Sequence, residues 1–423
     1  VLSAFKAVDQ LVLYRGLLQD PVISLYCKML DEGLSENNPS AVYYEAVHHL
    51  LVYYDRRGVL PDLWKNYILG KIIALDNPLA AACQKNTESM HPALREAGRH
   101  DAAILQGLIN FDFAAWGDSL GLSAGKWFAA DGKKPSSSFA TNPSYAAALE
   151  ELAQAATDPG ELFSALAAFY QNNGSGELAV YRAFYWEEGD LKGIAHPDPV
   201  EFADLIGYQE QIQALKKNTA AFLNRRGGNH VLLYGDKGTG KSSSVKALLN
   251  EYSSSGLRIV QLQRQQLEDL NTIIDLLRQR SGFYIIFIDD LSFENFEVEY
   301  KYLKSHIEGS LQAPAENVRL YVTSNRRHLI RENWEDRQHN DDVHGRDTQQ
   351  EKLSFADRFG LTLTYTSPLQ KDYLSMVKEM ARREGLKIDE ESLFRQAVQW
   401  ELRYHGRSGR TARQFVNDLK SRL

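Results

Sequence analysis

A chain of 423 residues with 43% hydrophobic and 24% charged content has the balance of a globular protein and is long enough for two or three domains. Its net charge of −7 argues against a nucleic-acid footprint over the whole molecule but leaves room for a local basic patch. Cys27 and Cys83 stand far apart in no metal-like spacing, which argues against a disulfide framework and fits a reducing cytosol. No apolar run reaches the length of a membrane span. Polar residues interrupt the apolar runs near the N-terminus, so no signal peptide is expected there, and a start at Val1 rather than Met suggests that residues precede it.

The first half reads as mainly helical. Apolar residues recur at helical spacing over Ala41–Tyr54 and Leu63–Leu75, with Leu60-Pro61-Asp62 as a break between them. Further helices are expected over Asp101–Trp116, Tyr145–Ala156 and Glu161–Tyr170. Polar stretches at 131–138, 172–176 and 189–199 read as loops or linkers. Tyr43, Tyr44, Tyr53, Tyr54, Trp64, Tyr67, Phe111, Phe113 and Trp116 read as core of a helical domain rather than a stacking surface. His48 and His49 are adjacent, so they point to different helix faces and cannot share one metal ion. Residues 1–195 therefore form an expected helical domain without evident chemistry, suited to recognising a partner.

From about residue 200 strands and helices alternate, which implies a mainly parallel sheet covered on both faces. Strands are expected at His230–Gly235, Arg258–Gln263, Tyr284–Asp289, Val318–Thr323 and Leu361–Tyr365. Helices are expected at Lys241–Tyr252, Leu267–Arg280, Glu297–Leu311 and just before Phe359. After Pro368 three helices follow, Lys371–Glu384, Glu390–Tyr404 and Thr411–Leu423. The expected domains are 1–195, an α/β core over 196–367, and a small helical lid over 368–423.

The first expected strand runs into Gly235-Asp236-Lys237-Gly238-Thr239-Gly240-Lys241-Ser242-Ser243 and then a helix. Glycines let successive N–H groups turn inward on an anion, and the helix N-terminus adds its dipole. In that context Lys241 reaches the β- and γ-phosphates and Ser242 holds Mg²⁺. Phe283–Ile288 is a buried apolar run that delivers Asp289 and Asp290 to the edge of the sheet where ligands sit. Asp289 is suited to hold Mg²⁺ through water and Asp290 to polarise the attacking water; alone, the pair is an acidic turn. Asn325, after another buried strand, can bond a γ-phosphate or water, or simply cap a turn. Arg358 can serve a neighbouring subunit's phosphate if the domain forms a ring, or pair with a surface acid. Arg410 opens the last helix, where a cation opposes the dipole; an anion nearby would explain it, as would a solvated basic terminus.

In this order and spacing, these features resemble the AAA+ ATPases over residues 200–423. The phosphate loop and Asp289-Asp290 look like Walker A and Walker B, Asn325 like sensor 1, Arg358 like the arginine finger, and Arg410 like sensor 2. Asp204-Leu205-Ile206-Gly207-Tyr208 is similar to the segment lining the adenine pocket in that superfamily, which implies nucleotide contacts from Ile206, Gly207 and Tyr208. More narrowly, Ile288 to Phe293, Thr323 to Ile330, Asp357 to Gly360 and Ser408 to Phe415 resemble a bacterial family of AAA+ ATPases catalogued as a domain of unknown function. The resemblance implies a five-stranded parallel core, Mg-ATP hydrolysis, ADP as product, and a ring-shaped homo-oligomer, a hexamer being one size it suggests.

Three departures bear on the task. The second Walker-B acid is Asp290 rather than glutamate, as in the replication-initiator and helicase-loader branch. Gln261–Leu270 lacks the aromatic-glycine pore loop of threading unfoldases. No DNA-reading domain is expected after the lid. A charged insertion at 331–352 contains His339, Asp341, Asp342 and His344 and reads as an exposed loop rather than a metal site. The leading expectation is a cytoplasmic ATPase that remodels or switches a protein partner through residues 1–195. The alternatives are a nucleic-acid-linked loader, which the acidic charge disfavours, and a nucleotide-gated scaffold with negligible hydrolysis.

Overall fold

The computed structural model describes residues 7–32, 38–85, 90–122, 143–291, 303, 313–325, 358–404 and 406–422. The polar stretch 131–138, most of the helix expected at Glu297–Leu311, the start of the short helix before Phe359, and the insertion 331–352 lie outside them. The chain gathers into two compact units. One spans Val1–Arg182 with Lys192–Pro197 and Gln279–Gly282; the other spans Ala183–Leu191, Asp198–Arg278 and Phe283–Leu423.

The first unit is helical among its described residues. Its helices are α1 Pro21–Glu32, α2 Pro39–Arg57, α3 Leu63–Ala74, α4 Pro78–Lys85, α5 Pro92–Ile109, α6 Phe113–Ser119, α7 Pro143–Ala155, α8 Pro159–Asn173 and α9 Glu177–Val180. Polar caps fix several starts: Asn38, Asp62 and Asp158 each accept from a first-turn N–H. The single helix expected over Asp101–Trp116 is instead two. Asp112 accepts from the Ala115 N–H and starts a new helix, which turns Phe113 and Trp116 into the core. Phe113 stacks on Trp64 with ring centres 5.2 Å apart and on Tyr43 at 4.8 Å. Tyr43, Trp64, Tyr67, Phe111, Phe113 and Trp116 are core, as expected, whereas Tyr53 and Tyr54 are partly buried and Tyr44 is half exposed. Beneath them Asp101, fully buried, accepts from the N–H groups of Val12, Leu13 and Tyr14 at 2.9, 2.7 and 3.1 Å. Buried Asp20 likewise accepts from Val22 N–H, from the Tyr67 hydroxyl and from Lys71.

The second unit is built on a seven-stranded sheet. Its strands are β1 Ala183–Glu187, β2 Asp190–Gly193, β3 Val231–Gly235, β4 Leu257–Leu262, β5 Phe283–Ile288, β6 Val318–Ser324 and β7 Leu361–Tyr365, in the order β2-β1-β4-β5-β6-β3-β7. The five strands expected from sequence form the parallel core β4-β5-β6-β3-β7. The apolar residues of β3, β4, β5 and β6 are almost all buried, as strands covered on both faces require, whereas β7 at the sheet's edge alternates, with Leu363 and Tyr365 buried and Thr362 and Thr364 exposed. Two strands are additional: β1 lies parallel to β4, and Glu188-Gly189, both with positive φ, join it to β2 within a stretch expected to be a linker.

Helices α10 Gln209–Leu223, α11 Lys241–Tyr252 and α12 Leu270–Arg278 accompany the core. The helix expected from Leu267 starts at Leu270, because Arg264–Asp269 winds into a tighter 3₁₀ turn. After β7 the segment expected as a lid comprises three helices, α13 Gln370–Arg383, α14 Glu390–Arg403 and α15 Gly409–Arg422. It has its own core, in which Tyr373, Met376, Val377, Ala397, Phe415 and Val416 pack together. This is the expected class: an α/β core built on a mainly parallel sheet with accompanying helices, followed by a small helical bundle and preceded by a helical region. No helix among the described residues is long and apolar enough to cross a membrane.

Candidate active site

The site grows from the end of β3. Gly235 has φ 132°, and a Cβ there would lie 2.1 Å from the Tyr365 carbonyl oxygen, so only glycine lets the strand turn beside β7. Gly238 and Gly240 also have positive φ, which curls the loop onto the first turn of α11. Lys241, almost fully buried, folds back over the loop and donates to the carbonyls of Gly235 and Asp236 at 3.0 and 2.6 Å. Burial lowers its ammonium below the usual lysine value, against the opposing pull of Asp236, Asp290 and Asp289. An anion bound beside it would oppose that effect by charge attraction.

Two strands away, β5 releases its acids at the same edge. Asp289 accepts from the Ser242 hydroxyl and from the Thr323 hydroxyl, both at 2.6 Å. Asp290 has φ 55°, a left-handed conformation that costs a non-glycine residue on the order of 1 kcal/mol. Its N–H donates to the Thr323 hydroxyl at 2.9 Å, and its carboxylate accepts from the Asn325 side-chain amide. Thr323 therefore holds both acids. Thr323 carries no role expected from sequence, yet the signal exists: parallel pairing of Ile288 with Val322 sets Thr323 opposite Asp289.

These groups border one cavity of about 710 Å³. Lys237, Gly238, Thr239, Gly240, Lys241, Ser242 and Ser243 line it, together with Asp289, Asp290, Asn325, Ile206, Tyr208 and Arg410. Gly207 supports the wall between Ile206 and Tyr208; its φ is 89°, and a Cβ would meet the Met376 methyl at 2.7 Å. The Tyr208 hydroxyl donates to the Thr366 carbonyl at 2.7 Å, and burial raises its phenol. Gly207, Gly235, Asp236 and Arg358 do not line the cavity. Arg413, Gln414 and Asn417 do, and none was expected as a site residue. Arg413 falls one helical turn after Arg410, a spacing that puts both on one face of α15. An oxygen-only donor pair, Ser242 and Asp289, suits a hard divalent cation such as Mg²⁺.

A family profile described as "Protein of unknown function (DUF815)" matches residues 179–423, more than half of the chain. The chain belongs to this family. For this DUF815 protein the matched residues cover every element of the cavity just described. The Holliday junction branch migration complex subunit RuvB of Mycoplasmopsis pulmonis (strain UAB CTIP) is 27% identical over 197 residues, 46% of this chain and 58% of the relative. Among solved structures, the Thermotoga maritima RuvB Holliday junction branch migration motor is 18% identical with a TM-score of 0.36, covering 53% of this chain and 65% of its own. PCH-2 of C. elegans is 17% identical with a TM-score of 0.36, covering 52% and 64%. The DUF815 chain thus spans less than two thirds of the length of each of these relatives.

Proposed function

We propose that this protein binds and hydrolyses Mg-ATP and uses the cycle to remodel or switch a protein partner. The observation that carries the reading is convergence: the phosphate loop, two acids, an amide and a lid arginine border one cavity. Lys241 turns its ammonium from the loop carbonyls to the β- and γ-phosphates, and the loop N–H groups cradle them. Ser242 and Asp289 hold the Mg²⁺ ion. When bound, magnesium neutralises charge that develops on the phosphates. Asp290 orients and polarises the attacking water, with Asn325 fixing its carboxylate. Arg410 on the lid reads the phosphates. Arg358, away from its own cavity, serves the site of a neighbouring copy in a ring. Residues 1–195 recruit the partner in the cytoplasm, and 368–423 act as the lid on the core.

Mg²⁺-dependent ATP turnover and the assembly state of the intact chain test this reading. Lys241→Ala is expected to weaken nucleotide binding by about 10- to 100-fold, because it removes a charge-assisted contact. Arg358→Ala is expected to lower turnover by about 10³-fold in assembled protein while leaving nucleotide affinity near wild type. Rings whose turnover ignores that substitution would sink the shared-site reading. A nucleic-acid-linked motor is the second reading, favoured by the 27% identity to a subunit of a branch migration complex. It requires DNA binding that weakens steeply with salt; no binding at low salt removes it.

A further inference from the structure

Asp236 sits inside the phosphate loop, where a carboxylate repels the very anion the loop is shaped to hold. Its side chain is engaged elsewhere. It accepts two hydrogen bonds from Ser367, one from the N–H at 2.7 Å and one from the hydroxyl at 2.6 Å. Ser367 follows β7 and precedes Pro368, so it lies at the root of the lid. The Asp236 N–H itself donates to the Tyr365 carbonyl at 2.8 Å. A second attachment lies two residues on. The Arg410 N–H donates to the Gly238 carbonyl at 3.2 Å, and a Cβ on Gly238 would lie 2.9 Å from the Ser408 hydroxyl. The loop is thus tied to the lid both where the lid leaves the sheet and where its last helix begins.

We infer that Asp236 is a positioning residue that latches the phosphate loop to the root of the lid, so that nucleotide in the loop sets the mobility of α13 and α15. The inference rests on the proposed nucleotide reading. A hydrogen bond to a carboxylate is about twice as strong as a neutral one, which suits a joint that must carry movement rather than yield to it. With two donors from one residue, the carboxylate also fixes the direction in which the chain enters α13.

The test is amide hydrogen exchange of the full chain with and without Mg-ADP, beside a binding isotherm for the same nucleotide. In the wild type Mg-ADP slows exchange in α13 and α15. Asp236→Ala speeds nucleotide-bound exchange in both helices by about tenfold, while exchange in β3 to β6 stays put. Asp236→Asn, which keeps an acceptor, falls between. Ser367→Ala added to Asp236→Ala changes nothing further, because the two act through one contact. Lid exchange unchanged in Asp236→Ala overturns the latch, as does acceleration spread evenly over the sheet. A change in affinity alone, with the lid still protected, assigns Asp236 to Lys241 instead and also overturns it. If Mg-ADP fails to bind the wild type, the nucleotide reading falls and takes the latch with it. If it binds and the variants leave the lid protected, only the latch falls. Should Asp236→Ala not fold, Asp236→Asn and Ser367→Ala supply the same comparison.

Discussion

Asp101 in the helical unit and Asp290 in the α/β unit are both acids held by hydrogen bonds, and they are held in opposite ways. Asp101 is fully buried and takes three backbone N–H groups in ordinary conformations. Asp290 is exposed at a sheet edge, in a left-handed conformation, with an amide on its carboxylate. The first acid is spent on closing the fold, because buried donors left unmet cost about 1–3 kcal/mol each. The second costs the fold strain and keeps a carboxylate facing a cavity. Burial with complete partners serves structure; exposure with strain at a strand end is where the proposed chemistry is put to the test.

Substitution can break that contrast. Asp290→Asn is expected to lower ATP turnover by about 10²- to 10⁴-fold while leaving unfolding midpoints nearly unchanged, since asparagine tolerates the same backbone. Steady-state turnover and denaturant melts check both halves, and normal turnover removes Asp290 as the base. Asp101→Ala is expected to do the reverse. It should destabilise by roughly 3–5 kcal/mol, by orphaning the three N–H groups, and leave nucleotide affinity intact in the folded fraction. Unchanged stability would show that the buried carboxylate carries no weight.

The smallest effect concerns pH. Burial pushes the Asp76 carboxyl up, but hydrogen bonds from Arg280 and Ser175 outweigh it and hold it below the usual carboxylate value. A carboxyl with a lowered folded value adds stability that is present above the unfolded value, about 3.9, and is lost as pH falls through the folded one. Acid unfolding of the helical unit should therefore steepen below about pH 4, and Asp76→Asn should flatten that limb. An acid limb that Asp76→Asn leaves unaltered excludes the contribution.

The same contrast explains what the sequence disclosed. The core strands were legible because a strand buried on both faces must be an unbroken apolar run, as Tyr284 to Ile288 is. The glycine-rich loop and the acid pair were legible because a tight glycine turn between strand and helix, and two acids at a strand end, are short-range patterns. The strands β1 and β2 were not. Their turn is Glu188-Gly189, and glutamate at φ 51° lacks the Asn-Gly signature that announces such hairpins. The break at Asn110–Asp112 was hidden because Phe111, Phe113 and Trp116 continue the apolar pattern across it. Thr323 and Ser367 were silent for a different reason. Each acts across strands or across a loop, and a hydroxyl's partner is set by register, not by its neighbours in sequence.

The strand order has a consequence for how the chain is made. Val231, which opens the strand leading to the phosphate loop, pairs with Tyr321 on one side and Leu361 on the other. Neither flank exists when β3 leaves the ribosome. Contacts so distant in sequence close slowly, because loop entropy must be met before pairing returns anything. The helices of the first unit all precede β3 in the chain, so they can assemble before it is made. The cavity beside the glycine-rich loop therefore cannot take shape until β6, β7 and α15 have all been synthesised.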